Sequence, residues 1–314
     1  MHADLLVSIV VLNHDRPREL AQVLGQLCLL PERPRIIVVD NGSPDAMAVT
    51  RITRAHGSRV KLVRSEVNLG AAGRNLGVEH VHTPYVAFCD DDTAWRPGAL
   101  RRACDWLEEH PHIGVVNGKV LVGEQEIEDP ACTRMRDSPL DNTGLPGPAL
   151  ISFMAGAVVM RTRAFRQARG YEPRLFLGAE EALMALNLAA LGWRMVYAAD
   201  VVTRHMPSPL RDKPRRDLLL ARNRLWVAWL RLPWADAWRE SRVILQEAMA
   251  KGQLWPVLRR SFRGALWVML HRRVVPDVVA EMHRTVFAPT APLPQPQPRL
   301  TPHELSQPDM REGP

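Results

Sequence analysis

The chain has 314 residues, 46% hydrophobic and 24% charged, enough for one large α/β domain with an appendage. Its formal net charge of +7 is unevenly placed: residues 211–284 carry sixteen Lys+Arg against seven Asp+Glu, so the basicity belongs to that region. Four cysteines without a C-x-x-C pair argue against a disulfide framework and for reduced cytosolic thiols, and no run approaches the ~18 apolar residues of a spanning helix.

In chain order, Met1-His2-Ala3-Asp4 leads straight into an apolar run at 6–12. No signal peptide precedes that run, so a cytosolic location is expected. Residues 17–30 carry helical spacing through Leu20, Val23, Leu24 and Leu27, and 35–39 form a second apolar run closing in Asp40-Asn41-Gly42. A polar helix-like stretch, a strand at 60–64, a helix at 71–80 and a strand at 85–89 follow; the last closes in Asp90-Asp91-Asp92, before a helix-like stretch from Pro97. A further strand is expected at 195–199. Short apolar runs that do not alternate, separated by amphipathic segments, predict a mostly parallel sheet covered on both faces. In such sheets ligands sit outside the carboxyl ends of the strands, which is where Asp40 and Asp90 fall.

Three clustered carboxylates repel one another and raise at least one pKa unless a cation neutralises them. Mg²⁺ or Mn²⁺ would do so, being hard cations that take oxygen ligands and leave room for substrate phosphates. The spacing is expected to put Asp90 and Asp92 on one side of a local turn, with Asp91 pointing elsewhere. The usual phosphate cradles are missing. No G-x-x-x-x-G-K-[ST] occurs, and Gly70, Gly73 and Gly77 have the wrong spacing for a dinucleotide fingerprint. A metal bridged to a diphosphate would replace those devices.

The stretches VSIVVLNHDRPREL, IIVVDNGSPD, NLGAAGRNLG and FCDDD, in this order, resemble an inverting family-2 glycosyltransferase of bacterial type with the GT-A fold. The second half agrees through FMAGA at 153–157, RGYE at 169–172, GAEE at 178–181 and LGWR at 191–194. The resemblance implies an α/β domain over 1–210, with a nucleotide-sugar-binding half at 1–120 and an acceptor half at 121–210. It implies that Asn13 and Asp40 contact the nucleoside, that Arg74 lines the nucleotide pocket, and that Asp90 and Asp91 belong to the donor site. Asp90 and Asp92 would carry the metal–diphosphate motif, with His205, placed after the 195–199 strand, as a further metal or phosphate contact. Glu181 matches the general base that deprotonates the acceptor hydroxyl. The implied reaction moves a hexosyl or deoxyhexosyl group from a nucleotide-diphosphate donor to a hydroxyl of a glycan or lipid-linked acceptor in envelope polysaccharide synthesis. A non-catalytic nucleotide-sugar-binding or scaffold member is the alternative. A sugar-1-phosphate nucleotidyltransferase would need a glycine-rich loop after the first strand, and LNHDRPREL has no glycine.

Glu180 and Glu181 are adjacent, so on a helix they diverge by about 100° and cannot share one task. One is expected to face the cleft, where a base gains from a raised pKa, and the other to favour the helix start. The pairs His80/His82 and His110/His112 fall at ends of helix-like segments, where imidazole near the last carbonyls is the expected role.

Beyond 210, the region 211–287 is basic and holds Trp226, Trp229, Trp234, Trp238, Trp255 and Trp267. A helix-like stretch runs over 218–230. In 255–269 the apolar residues Trp255, Leu258, Phe262, Ala265, Leu266 and Met269 follow helical spacing, with Arg259, Arg260 and Arg263 expected on other faces. Basic, Trp-bearing amphipathic helices of this kind suit an anionic membrane surface, here the inner face of the cytoplasmic membrane, with the alternative that the stripes pack onto the main domain. No nucleic-acid-binding motif accompanies the basic patch. Residues 288–314, with eight prolines, are expected to be extended or disordered.

Overall fold

The computed structural model describes residues 6–207 and 213–287. Its first elements are β1 (Val7–Asn13), α1 (Pro17–Cys28), β2 (Arg35–Asn41), α2 (Ala46–Arg54), β3 (Val60–Ser65), α3 (Gly73–Glu79) and β4 (Tyr85–Asp90). The predicted bounds hold to within two residues. After the aspartates the chain turns into a short strand, β5 (Thr93–Trp95), and α4 (Ala99–Glu109) begins only after Gly98, whose left-handed φ of +85° redirects it. There follow β6 (Ile113–Val122), β7 (Ile127–Glu128), α5 (Pro130–Arg136), β8 (Val158–Arg161), α6 (Thr162–Gln167), α7 (Glu180–Ala190) and β9 (Arg194–His205).

Among the described residues these strands form one sheet in the order β3-β2-β1-β4-β8-β6-β9-β5, with β7 on β6. The block β1 to β4 is parallel, as is the long β6–β9 pairing; β8 enters antiparallel between β4 and β6. The apolar runs do not alternate because both faces are covered. Ile9, Val11, Ile36 and Val38 pack with Leu20, Leu24 and Leu27 of α1 on one face. Val10, Ile37, Val39 and Phe88 pack with residues of α3, α6 and α7 on the other. β9 is longer than the predicted 195–199 strand, continuing past a register shift opposite Gly118/Lys119 to end on His205 itself.

Five helices complete the described chain: α8 (Lys213–Arg231), α9 (Trp234–Ala250), α10 (Leu254–Phe262), α11 (Ala265–His271) and α12 (Asp277–Phe287). Trp226, Val227, Leu230, Val268 and Val279 join the same apolar cluster as Val10 and Phe88, so the helical region is continuous with the core over one sheet face. The predicted 255–269 helix is broken at Gly264, where a Cβ would come 2.3 Å from the Trp226 ring. The Trp226 indole also donates to the Ser261 carbonyl at 2.9 Å, locking that junction against α8. The tail 288–314 lies outside the described residues.

Candidate active site

The carboxyl ends of β1, β2 and β4 open into a cleft of ≈ 740 Å³, closed on its far side by the 153–157 turn, the start of α7 and α8. Asp90 ends β4, and Asp91 and Asp92 form the turn into β5. The turn is tied at both ends: the Asp90 N–H donates to Thr93 Oγ1 (2.8 Å), and the Met206 N–H donates to the Asp92 carbonyl (2.8 Å). That tether corrects the expected pairing of side chains. Arg16 Nη1 reaches both Asp91 Oδ1 (3.0 Å) and Asp92 Oδ2 (3.1 Å), so these two share a partner. Asp90 instead takes Arg74, a buried residue of α3 whose guanidinium lies 5.7 Å from the Tyr171 ring centre.

The electrostatics follow from burial among like charges. Burial pushes Asp91 up to about 7, with Arg16 opposing the rise and Asp92 and Asp90 adding to it. Burial works against the Arg16 charge, but Asp91 and Asp92 outweigh it and raise Arg16. His205 ends β9 opposite Thr93 and brings Nε2 to 3.5 Å from Asp92 Oδ1. Asp92 and His205 are therefore gathered as expected, while Asp90 Oδ1 is turned toward Arg74. Among the described residues, no group of three His, Cys, Asp or Glu side chains forms a closed ligand set.

The two residues expected at the nucleoside lie beneath the cleft surface. Asn13 and Asp40 are opposite one another at the ends of β1 and β2, but both are fully buried. Asp40 is occupied by Arg64 Nη1 (2.7 Å) and the Ser43 N–H (3.1 Å), because Arg64 on β3 pairs directly across from it. Asn13 Nδ2 reaches Ser43 Oγ at 3.4 Å, and its Oδ1 has no partner among the described residues. The cleft wall here is formed instead by His14, Asn41 and Asn68. Asn41 Oδ1 accepts the Leu69 N–H, and its Nδ2 donates to Asn68 Oδ1 and the Gly70 carbonyl. This fastens the 68–77 stretch to the end of β2. Gly70, at φ +60°, lies so close to Phe176 that a Cβ would sit 2.0 Å from its carbonyl oxygen. Only glycine permits that contact, which brings the 68–77 stretch against the loop leading to α7.

That loop carries the candidate base. Phe176, Gly178 and Ala179 all have positive φ, an unusual backbone for Phe and Ala. Asn223 of α8, fully buried, supports it by donating Nδ2 to the carbonyls of Leu175 (2.7 Å), Leu177 (3.1 Å) and Gly178 (2.6 Å). Glu180 and Glu181 open α7, both at the cleft wall, with Glu180 the more buried. Burial and the neighbouring Glu181 charge push Glu180 up to about 8, and its Oε2 has no hydrogen-bond partner among the described residues. Burial also raises Glu181; its own N–H, Arg74 and the Ala155 N–H oppose the rise, and Asp90 adds to it. Arg74 thus holds the charge balance between the aspartates and the two glutamates.

Of the residues singled out from sequence, Arg74, Asp90, Asp91, Asp92, Glu181 and His205 meet at one cleft. Arg16, His14, Asn68 and Asn223 had no assigned role. Only Arg16 carried a signal, as a cation three residues after the end of β1, beside a carboxylate-rich crevice.

The model of the family described as glycosyl transferase family 2 matches residues 8–168. Over 308 residues the chain is 23% identical to the N-acetylglucosaminyl-diphospho-decaprenol L-rhamnosyltransferase of Mycobacterium tuberculosis, spanning 83% of this chain and 97% of that protein. Among solved structures, S. aureus TarS in complex with UDP-GlcNAc superposes with a TM-score of 0.61 at 14% identity, over 89% of this chain and 87% of that one. The mannosyltransferase PcManGT of Pyrobaculum calidifontis, in complex with GDP-Man and Mn²⁺, gives 0.56 at 18% identity, over 89% and 84%. At such identities the likeness is one of fold, and it is the GT-A-type α/β fold.

Proposed function

The chain belongs to glycosyl transferase family 2, and from that premise we propose an inverting transfer of a hexosyl or deoxyhexosyl group from a nucleotide-diphosphate donor to a hydroxyl of a glycan or lipid-linked acceptor. The observation that carries the reading is the convergence on one cleft of Glu181, Arg74 and the Asp90–Asp92 turn, from elements far apart in the chain. Glu181 takes the proton of the acceptor hydroxyl, whose oxygen forms the new bond to the anomeric carbon. The bond to the diphosphate breaks on the opposite face, and the nucleotide leaves with the electron pair. A carboxylate raised by burial is suited to this, because the best base has a pKa near the working pH. Glu180 is raised as well, by burial and by the Glu181 charge, so the two adjacent carboxyls favour a single negative charge between them.

Asp92 and His205, with Asp90 beside them, would hold Mg²⁺ or Mn²⁺, whose bound charge stabilises the departing diphosphate. Asp92 Oδ1 and His205 Nε2, 3.5 Å apart, would supply oxygen and imidazole donors to such an ion. Arg16 and Arg74 now carry the countercharge for these aspartates, so donor binding exchanges part of those ion pairs. Arg74, Asp90 and Asp91 are assigned to the donor, with Asn13 and Asp40 shaping the nucleoside wall from beneath. No helix among the described residues is long and apolar enough to cross a membrane, so reaching a lipid-linked acceptor at the inner face of the cytoplasmic membrane falls to a surface of the protein.

The test is calorimetric titration with a panel of nucleotide diphosphates and their sugars, with Mn²⁺ or Mg²⁺ and then with EDTA. Asp90→Ala/Asp92→Ala is the control. Metal-dependent binding that the variant loses is expected. A folded protein that binds no nucleotide under any metal condition would overturn the reading, and donor binding without hydrolysis or transfer would point to a non-catalytic nucleotide-sugar-binding member.

A further inference from the structure

The helices α10 and α11 present to solvent four residues of the apolar stripe that the sequence pattern marks, together with Leu270. Trp255 is 79% exposed, Phe262 82%, Leu266 71%, Met269 72% and Leu270 72%. They lie along one outward side, while Val257 and Val268 on the opposite side are buried against the body of the protein. The orientation is enforced, because Gly264 fits against Trp226 where no larger residue has room. Arg259 and Arg263, expected on other faces, fall within the same exposed stripe. Outward-facing aromatic and aliphatic side chains on this scale are unusual in a soluble surface and mark an interaction site.

The charge of the surroundings selects the partner. Between residues 248 and 276 there are six Lys or Arg and no Asp or Glu. Arg259, Arg260, Arg263 and Arg273 form no ion pair among the described residues. Behind the stripe, burial and the charge of Arg260 both lower Arg222, whose guanidinium stacks on Trp226 at 4.3 Å from the ring centre. The hydrogen-bond acceptors around Arg222 are neutral, namely Asn223 Oδ1 and the carbonyls of Arg174 and Leu175. A protein partner of matching shape would need both an apolar groove and a ring of acids. A bilayer with anionic headgroups supplies apolar depth and negative charge together, at the level where Trp and Arg side chains are favoured.

We propose that the α10–α11 face, built from Trp255, Phe262, Leu266, Met269 and Leu270 with Arg259 and Arg263, docks the protein onto an anionic phospholipid bilayer. The choice of a bilayer rests on the charge of this face together with the proposed lipid-linked acceptor, whereas the exposure of the face is independent of that reading. α10 packs on α8, whose Leu219 and Arg216 line the cleft, so docking through this face holds the cleft mouth near the lipid surface.

Vesicle flotation of the full chain tests this, using phosphatidylglycerol/phosphatidylcholine vesicles against pure phosphatidylcholine. The wild type is expected to float with the anionic vesicles and to be released by salt. Phe262→Glu/Leu266→Glu/Met269→Glu should weaken partitioning at least about tenfold, since apolar burial and charge attraction are both lost. Arg259→Ala/Arg263→Ala should reduce the preference for anionic vesicles and its salt sensitivity. Circular dichroism and calorimetric nucleotide binding verify that each variant is folded with an intact cleft. Three results would overturn the proposal: a wild type that stays at the bottom with anionic vesicles at low salt, a triple variant that floats as the wild type does, or a dimer without vesicle binding that the triple variant dissociates. Nucleotide binding is read separately, so failure of the docking face and failure of the transferase reading are distinguishable.

Discussion

Gly156→Ala probes whether the position of the Asp90 carboxylate governs donor binding. Gly156 lies in the 155–157 turn, and an added Cβ would stand 2.9 Å from Asp90 Oδ2 and 3.5 Å from Thr93 Cγ2. Ordinary contacts begin at 3.4 Å, so the carboxylate must move by about 0.5 Å. It cannot retreat into the protein, because Arg74 holds its other oxygen and Thr93 holds its backbone N–H. It can swing outward, since the Asp90 side chain is 38% exposed to the cleft. The stability penalty should therefore stay near the low end for overpacking, about 1 kcal/mol. Function should suffer more, because a displacement of this order at a binding constellation lowers turnover by roughly 10- to 100-fold. Gly25→Ala is the control: the site lies mid-helix in α1 with no atom within 4 Å of the new Cβ, and the change should stabilise by about 0.5–1 kcal/mol. The assay combines thermal denaturation, metal-dependent donor affinity by calorimetry, and kcat and KM. A folded Gly156→Ala protein with wild-type donor affinity and wild-type kcat would refute the reasoning and detach Asp90 from the donor site.

Glu181→Gln should lower kcat by roughly 10²- to 10⁴-fold with donor affinity little changed. Burial raises the Glu181 carboxyl and the base works deprotonated, so wild-type kcat/KM should climb with pH through a value above the ordinary 4.5. Wild-type turnover in the variant would sink the assignment. Glu180 affects stability in a definable direction. The folded state keeps its proton up to about 8 while the unfolded chain loses it near 4.5, so stability is full below 4.5 and declines as pH rises toward 8. Glu180→Gln should flatten that decline in a series of melts, and an unaltered slope would show that another group is responsible. Asn223→Ala removes the buried donor that spans the carbonyls of Leu175, Leu177 and Gly178 and should cost about 1–3 kcal/mol. It should also reduce kcat by loosening the loop that aims Glu181. Full activity with reduced stability would confine Asn223 to a structural role.

The parallel block was readable because its strands are buried on both faces. In β1 and β2 every residue from Val7 to Val11 and from Ile36 to Asn41 is buried, so apolar runs without alternation could only be interior strands. Asp90 and Asp92 were readable for the complementary reason: charge at the end of such a strand demands a partner. What could not be read was the identity of that partner. Arg16 lies 75 positions from Asp91, and local spacing holds no trace of their meeting. The fate of Asp40 was hidden in the same way, because its capture by Arg64 depends on the β2–β3 register rather than on either motif.

The C-terminal helices show a further limit of periodicity. Helical spacing in 255–269 establishes that an apolar stripe exists, but the pattern is the same whether the stripe is covered or bare. Two features settle the matter, and both lie outside the stripe. Gly264 meets Trp226 of a different helix, and Val257 and Val268 supply enough apolar surface to anchor the pair without Phe262 or Leu266. Once the smaller residues have taken the inward side, the larger ones have no interior left to enter. Exposing a Phe or Leu side chain forgoes about 1.5–3 kcal/mol of burial at each position. A stripe arranged this way stabilises the protein only when something beyond the described residues covers it.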